Sequence, residues 1–300
     1  MTSWPWMKGI QEALADPIEP VNAADTRSSV KDLIQQHRES IDKVRAAIDK
    51  DVHFDPTKHD ELWILRFILS HKKKLKDAIK AAQHCLSFRA EHKLDDTDIR
   101  YHPLGPNALS EGAKRYMSYC ADDAVTLALP DPKRGVVGFL NLPGIDQHAL
   151  VKHLDPNDWV PLFLYVAEWT HQWLDYVTRT TGRLTKSARL ADIKDTTFAQ
   201  FSHECHKRDG AAMGIMEDVY PQLLEKLFIC HSPVWVQVPW RILRPLMPRR
   251  VVSKVDFINP DKNHHERERL YEYVDEEHLP VRFGGKNPTW PAVFPLPGQS

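Results

Sequence analysis

Four stretches near the C-terminus decide the fold: Asp218-Val-Tyr-Pro-Gln222, Phe228-Ile-Cys-His-Ser-Pro233, Ser253-Lys-Val-Asp-Phe-Ile258 and Leu279-Pro-Val-Arg-Phe-Gly-Gly285. Within them, Leu227-Phe-Ile-Cys230 and Lys254-Val-Asp-Phe-Ile258 are short apolar runs with the length of buried strands. Between the two lies Val234-Trp-Val-Gln-Val-Pro-Trp-Arg-Ile-Leu-Arg-Pro-Leu-Met247, which is apolar with interleaved arginines. Pro239 and Pro245 interrupt helical hydrogen bonding there and favour bends.

Upstream, the same alternation continues. Leu190-Ala-Asp-Ile193 reads as a strand, and Phe198 to Lys207 and Ala211 to Val219 read as two helices. A long helix is expected from Asp155-Pro156, with Asp155 as cap and Pro156 in the first turn. Its apolar face runs Trp159, Leu162, Phe163, Val166, Trp173, Leu174 and Val177. Ala124-Val-Thr-Leu-Ala-Leu129 and Val136-Val-Gly-Phe-Leu-Asn141 flank the turn-like Asp131-Pro-Lys-Arg-Gly135. His265 to Asp275 reads as a polar surface helix. Strands alternating with helices predict an α/β layer architecture.

The N-terminal third has no strand signal. Val30, Leu33, Ile34, Ile41, Val44 and Ile48 form one helical stripe; Leu62, Leu65, Ile68 and Leu69 form a second; Leu75, Ala78, Ile79, Ala82, Leu86 and Arg89 follow the third. This predicts an all-α unit over residues 29–100, after an irregular arm over 1–28 and before an α/β domain over 101–286. Residues 287–300 form a Pro-rich tail.

The 300 residues carry 27% charged side chains and a formal net charge of −1, which argues against nucleic-acid binding through bulk charge. The four cysteines, Cys85, Cys120, Cys205 and Cys230, lie far apart, which fits a reducing, cytoplasmic setting better than a disulfide framework. No window has the length and hydropathy of a spanning helix, so membrane contact is expected to be peripheral. His203-Glu-Cys-His206 has no second cluster to complete a metal site, and no phosphate-loop, dinucleotide, nucleophile-elbow or zinc-protease motif is present. Neither cofactor, metal nor enzymatic activity is expected.

Taken in order, these segments resemble the CRAL-TRIO family of hydrophobic-ligand carriers, whose members carry phosphatidylinositol, phosphatidylcholine, tocopherol or retinaldehyde. Leu65-Arg-Phe-Ile-Leu-Ser-His-Lys72, Lys76-Asp-Ala-Ile79 and Leu86-Ser-Phe-Arg89 are similar to the family's N-terminal signature, with Phe88 where tryptophan is common. Leu279 to Gly285 is similar to its closing signature. The resemblance implies an α/β lipid-binding domain, a small mixed sheet with an apolar gate helix, preceded by helices.

The resemblance also nominates residues. Four positions bind the headgroup in phosphatidylinositol-binding members. Lys254 keeps the lysine; Gln222 replaces a glutamate, Val251 a threonine and His71 an arginine. Tyr220 of the tyrosine-proline segment is counted with them. One position in four is kept, so a lipid pocket is implied without inositol-lipid specificity. The gate falls on residues 234–247, with Trp235, Val238, Trp240, Arg241, Leu243, Arg244, Leu246 and Met247 facing the membrane.

The physical demand is plain. A two-chain lipid has about thirty methylenes, and exposing them to water costs on the order of 20 kcal/mol. A carrier must enclose the chains and open at a membrane, which needs a movable apolar wall. The expected function is binding of a phospholipid or similar lipid and its transfer or presentation at membranes. The alternative is a lipid-gated sensor or adaptor that reads out to a protein partner without transfer. A monomer with transient membrane contact is expected in either case.

Overall fold

The computed structural model describes residues 26–72, 74–100, 111–131, 135–247 and 249–288. Most of the expected N-terminal arm and of the Pro-rich tail lies outside the described residues. The chain divides into two compact units. One comprises Met1–Tyr101, His171–Lys186 and Glu217–Leu223; the other comprises His102–Thr170, Ser187–Met216 and Leu224–Ser300.

The first unit is helical. It holds α1 (Val30–Gln36), α2 (Arg38–Ile48), α3 (Glu61–His71) and α4 (Leu75–Glu91). The expected single helix from Val30 to Ile48 is two. His37, at φ −107° and ψ 14°, ends α1 and starts α2. The apolar stripe keeps its phase across the break, so periodicity alone does not reveal it. Ile41, Val44 and Ile48 are fully buried. Ser29 caps α1 through Asp32 N–H, and Asp60 caps α3 through Trp63 N–H at 3.0 Å.

Residues from later in the chain complete this unit. Leu184 packs with Val30 and Leu62. The Cys85 thiol donates to the Val219 carbonyl at 3.2 Å. The deepest polar feature is an ion cluster. Arg66 donates to Asp175 at 3.3 Å, and Arg179 Nε donates to the other Asp175 oxygen at 2.9 Å. Arg179 also grips Asp60, at 2.6 and 3.2 Å. Burial would raise the Asp175 carboxyl, but Arg179 and Arg66 outweigh it and hold it below the usual carboxylate range.

The second unit is built on a five-stranded sheet in the order β1 (Val125–Asp131), β2 (Gly135–Asn141), β3 (Ser187–Asp192), β4 (Leu224–Cys230) and β5 (Val255–Ile258). β1 and β2 are an antiparallel hairpin, and every later pair is parallel. The architecture is therefore the mixed α/β sheet that the alternating pattern predicts.

Its helices include α5 (Glu111–Met117), α6 (Gln147–His153), the first half of α7 (Val160–Thr181), α8 (His203–Val219) up to Met216, α9 (Gln237–Leu243), α10 (Arg249–Val252) and α11 (His264–Glu268). The second half of α7 and the end of α8 belong to the helical unit. Asp155 accepts from Asn157 N–H at 2.8 Å and caps a 3-10 turn over Pro156–Asp158 that leads into α7.

Two helix expectations need correction. The helices expected at 198–207 and 211–219 are one, α8, preceded by a 3-10 turn over Phe198–Gln200. Gly210 and Gly214 weaken a helix by about 1 kcal/mol each, which the buried Ala212 and Met216 offset. The helix expected over 265–275 stops at Glu268. The chain then turns so that Leu270 and Val274, both almost fully buried, reach the sheet.

Candidate functional site

The sheet has two unlike faces. Strand residues paired in register point the same way, and neighbours along a strand alternate. One face carries Val137, Phe139, Leu190, Phe228, Cys230 and Ile258, each at most 1% exposed, under Leu270, Val274, Leu279 and Phe283. This is a closed core.

The ends of β3 and β4 are tied to that closing segment. The His231 ring donates through Nδ1 to Asp192 at 2.8 Å, and Arg282 donates to the other carboxylate oxygen. The His231 ring also stacks on Phe283 at 5.7 Å. Burial pushes the Asp192 carboxyl up, but hydrogen bonds from His231 and Lys194 N–H prevail and lower it. His231 sits at φ +58°, a left-handed conformation that aims its ring back to the strand end. The closing signature is thus a clamp.

The opposite face carries Leu127, Gly138, Leu140, Arg189, Ala191, Leu227, Ile229, Val255 and Phe257 in register. Apart from Gly138 and Arg189 it is apolar, and it is less completely covered than the first. Leu140, Arg189, Ile229, Val255 and Phe257 keep part of their surface exposed, although the first three stand on interior strands. In a packed sheet the interior strands are covered, so these three residues are less completely covered than their counterparts on the first face.

The segment after β4 crosses over this face. It runs as a 3-10 turn (Val234–Val236), α9, a second 3-10 turn (Arg244–Leu246) and α10. Met247 and Val251 pack with Ala191 and Leu227, and Trp240 meets Phe257 edge-on at 5.1 Å. Pro239 falls in the first turn of α9, where its missing N–H costs no helical bond. Pro245 falls in the second 3-10 turn, so the segment is a chain of short pieces.

The outer side of that segment is exposed and mixed. Val238 is 59% and Ile242 45% exposed, beside exposed Arg241, Arg244 and Arg249. Trp235 is half-buried and meets Phe198, itself 61% exposed, at 6.0 Å. The side chains of Leu243 and Leu246 lie outside the described ones.

The nominated headgroup residues fall as follows. Val251 is buried in the apolar cluster under the crossing segment and offers a wall but no hydroxyl. Lys254, expected inside a strand, stands just before β5. Its ammonium donates to the Leu224 carbonyl, and its own carbonyl accepts from Leu227 N–H.

The other three belong to the helical unit. His71 ends α3, and its Nδ1 lies 3.1 Å from the Phe67 carbonyl. Gln222, left-handed at φ +63°, donates from its amide to Ser70 Oγ at 3.1 Å. Positions 70–71 and 222 are thereby neighbours. Tyr220 is 2% exposed and packs against His171 and the Arg89 guanidinium, which makes it a core side chain. His206 of the histidine pair is partly buried against Phe201, and burial lowers its pKa to about 4.

One residue that periodicity did not single out stands at the centre of the open face. Arg189 is on β3, the middle strand. Its side chain lies across Gly138 of β2: a Cβ at 138 would be 3.4 Å from Arg189 Cγ and 3.7 Å from a guanidinium nitrogen. Burial lowers its pKa to about 10, so it remains a cation at neutral pH. Among the described residues, no carboxylate or carbonyl oxygen engages it. The sequence signal was the arginine itself, a charge set within the small and apolar run Ser187-Ala-Arg-Leu-Ala191.

Comparison with known proteins places these features. Residues 122–285 match the CRAL/TRIO domain family. Patellin-3 of Arabidopsis thaliana is 21% identical over 281 residues, covering 86% of this chain and 53% of its own length. Patellin-5 of the same plant is 34% identical over 112 residues, or 37% of this chain and 16% of its own. The chain thus spans about half or less of these plant relatives. The Sec14 cytosolic factor of Schizosaccharomyces pombe is 18% identical over 278 residues, covering 92% of this chain and 91% of its own. The crystal structure of Sfh5 superposes with a TM-score of 0.57 at 11% identity, over 85% of this chain and 92% of that one. This last likeness is one of fold.

Proposed function

This chain belongs to the CRAL/TRIO lipid-binding family, and from that premise we propose that it encloses a hydrophobic ligand between the open sheet face and residues 234–252, and transfers or presents it at membranes. The observation that carries this reading is the difference between the two sheet faces. The apolar face built from Leu140, Ile229, Val255 and Phe257 remains partly exposed, and a solid core would have closed it. A lipid chain supplies the missing contacts, with about 0.8 kcal/mol gained for each methylene buried.

The crossing segment suits a gate. Its short helical pieces and two prolines let it move as a flap without unravelling a long helix. Val238, Ile242 and Phe198 can insert shallowly into a bilayer interface while Arg241, Arg244 and Arg249 meet anionic headgroups. No helix among the described residues is long and apolar enough to cross a membrane, which fits peripheral contact. In this reading the protein works from the cytosol and performs no covalent chemistry on its ligand.

The test is lipid movement. Purified protein is incubated with donor vesicles carrying a self-quenched fluorescent phospholipid and with unlabelled acceptors. The proposal expects dequenching that scales with protein concentration. Protein that takes up lipid but leaves the transfer rate at its spontaneous value would be a sensor, and protein that takes up none would contradict the pocket.

A further inference from the structure

Arg189 has a consequence for what the pocket holds. A guanidinium on the central strand of an apolar sheet face is expensive unless it is paired. The carboxylates of the neighbouring strand positions, Asp192 and Asp256, stand in register with Cys230 and Phe228 on the opposite, closed face and are engaged there. Asp192 is held by His231 and Arg282 on the other face, and Asp256 by Lys226 and Arg269. Gly138 gives the arginine a bed with no side chain in the way, so it lies along the sheet on the less covered face. Its fork of donors matches a carboxylate or phosphate in two-point fashion, which a lysine cannot do.

We propose that Arg189 is the anion receptor of the pocket: it pairs with the carboxylate or phosphate of an acidic lipid whose chains occupy the open sheet face. This rests on the function proposed above and narrows its ligand class. The site differs from the nominated headgroup position Lys254, whose ammonium is bonded to the Leu224 carbonyl at the margin of β4 and β5. An anionic lipid supplies at once further apolar contacts on this face and a counter-charge that no described residue gives Arg189.

The experiment compares two probes of the same shape, a fluorescent polyene fatty acid and the corresponding fatty alcohol, titrated into the full chain at pH 8. Arg189→Met and Arg189→Lys are measured beside the wild type, with circular dichroism to establish folding. The wild type is expected to favour the acid over the alcohol by about tenfold or more, the scale of a charge-assisted pair. R189M is expected to bring that ratio to within about twofold of unity, and R189K to retain part of it. Inorganic phosphate at millimolar concentration is expected to leave acid binding unchanged, because chain burial supplies most of the affinity.

Equal binding of acid and alcohol by the wild type would overturn the anion assignment and leave the lipid pocket standing. So would a preference that survives in R189M. If R189M does not fold, an undiminished preference in R189K together with displacement of the acid by phosphate would overturn the lipid source in favour of a free phosphate site. Failure of both probes to bind would remove the pocket and the inference together.

Discussion

Arg189 lies across the bare backbone of Gly138, with its Cγ 3.4 Å from where a methyl group at position 138 would stand. That distance is ordinary contact, so the two positions form a matched pair. Gly138→Ala is therefore expected to change stability by less than about 1 kcal/mol, since a strand alanine also removes unfolded-state freedom. Gly138→Val places a branched carbon where Arg189 and Leu127 lie. It is expected to cost about 1–3 kcal/mol by overpacking and to reduce the acid-over-alcohol preference as R189M does. Chemical denaturation and the two-probe titration read the two effects.

The exposed side of the crossing segment gives a second prediction. Val238→Asp with Ile242→Asp removes two exposed apolar side chains without touching the clusters that pack on the sheet. Vesicle-to-vesicle transfer is expected to fall about tenfold or more, since each inserted side chain contributes on the order of 1 kcal/mol. The lipid found in the purified protein should be unchanged. Unchanged transfer would mean that another surface meets the membrane.

Asp175 holds two guanidinia, Arg66 and Arg179, inside the helical unit. Asp175→Ala leaves both with less than full compensation and is expected to cost about 3–5 kcal/mol. The pH direction follows from the lowered carboxyl. Its stabilisation is present above the ordinary carboxylate range and is lost as acid protonates it. Thermal unfolding from pH 7 downward should therefore fall more steeply in the wild type than in D175A.

Asp209 behaves in the opposite sense. Trp159 Nε1 donates to it at 2.8 Å and the Cys205 thiol lies 3.9 Å away, yet burial pushes its carboxyl up to about 6 from an ordinary 3.8. Between those values the folded chain keeps a proton that the unfolded chain has lost. Stability therefore falls as pH rises from about 4 to about 6 and is level above. The side chain keeps 20% of its surface exposed, so screening reduces the effect to on the order of 2 kcal/mol. Asp209→Asn should gain on the wild type across that window and hold the gain at higher pH. A constant difference from pH 4 to 8 would refute the raised carboxyl.

Sequence and structure agree where the signal is local. The runs ending at Cys230 and Ile258 are strands because their apolar residues fill two layers, and Asp155-Pro156 opens a helical turn because cap and proline chemistry act within three residues. The break at His37 was hidden because the stripe runs through it in phase. Arg66 was legible as part of a signature, but its partner Asp175 is 109 residues away, and no periodicity reports such a distance. Lys254 was legible by position in a family pattern, whereas its bond to the Leu224 carbonyl depends on how β4 and β5 pair. Strand register, not spacing, decides which face a charge occupies, so periodicity gives Arg189 no weight.

The central claim is that ligand chains lie on the face carrying Leu140, Ile229 and Phe257, under residues 234–252. A phospholipid with a diazirine at the end of one acyl chain, loaded into the protein and photolysed, tests it most directly. Peptide mapping is expected to place the adducts on Leu140, Ile229, Phe257 and the crossing segment, with none on Phe139, Leu190 or Phe228 of the closed face. Adducts confined to exposed positions such as Val52, or none at all in protein that retains the lipid, would contradict the account.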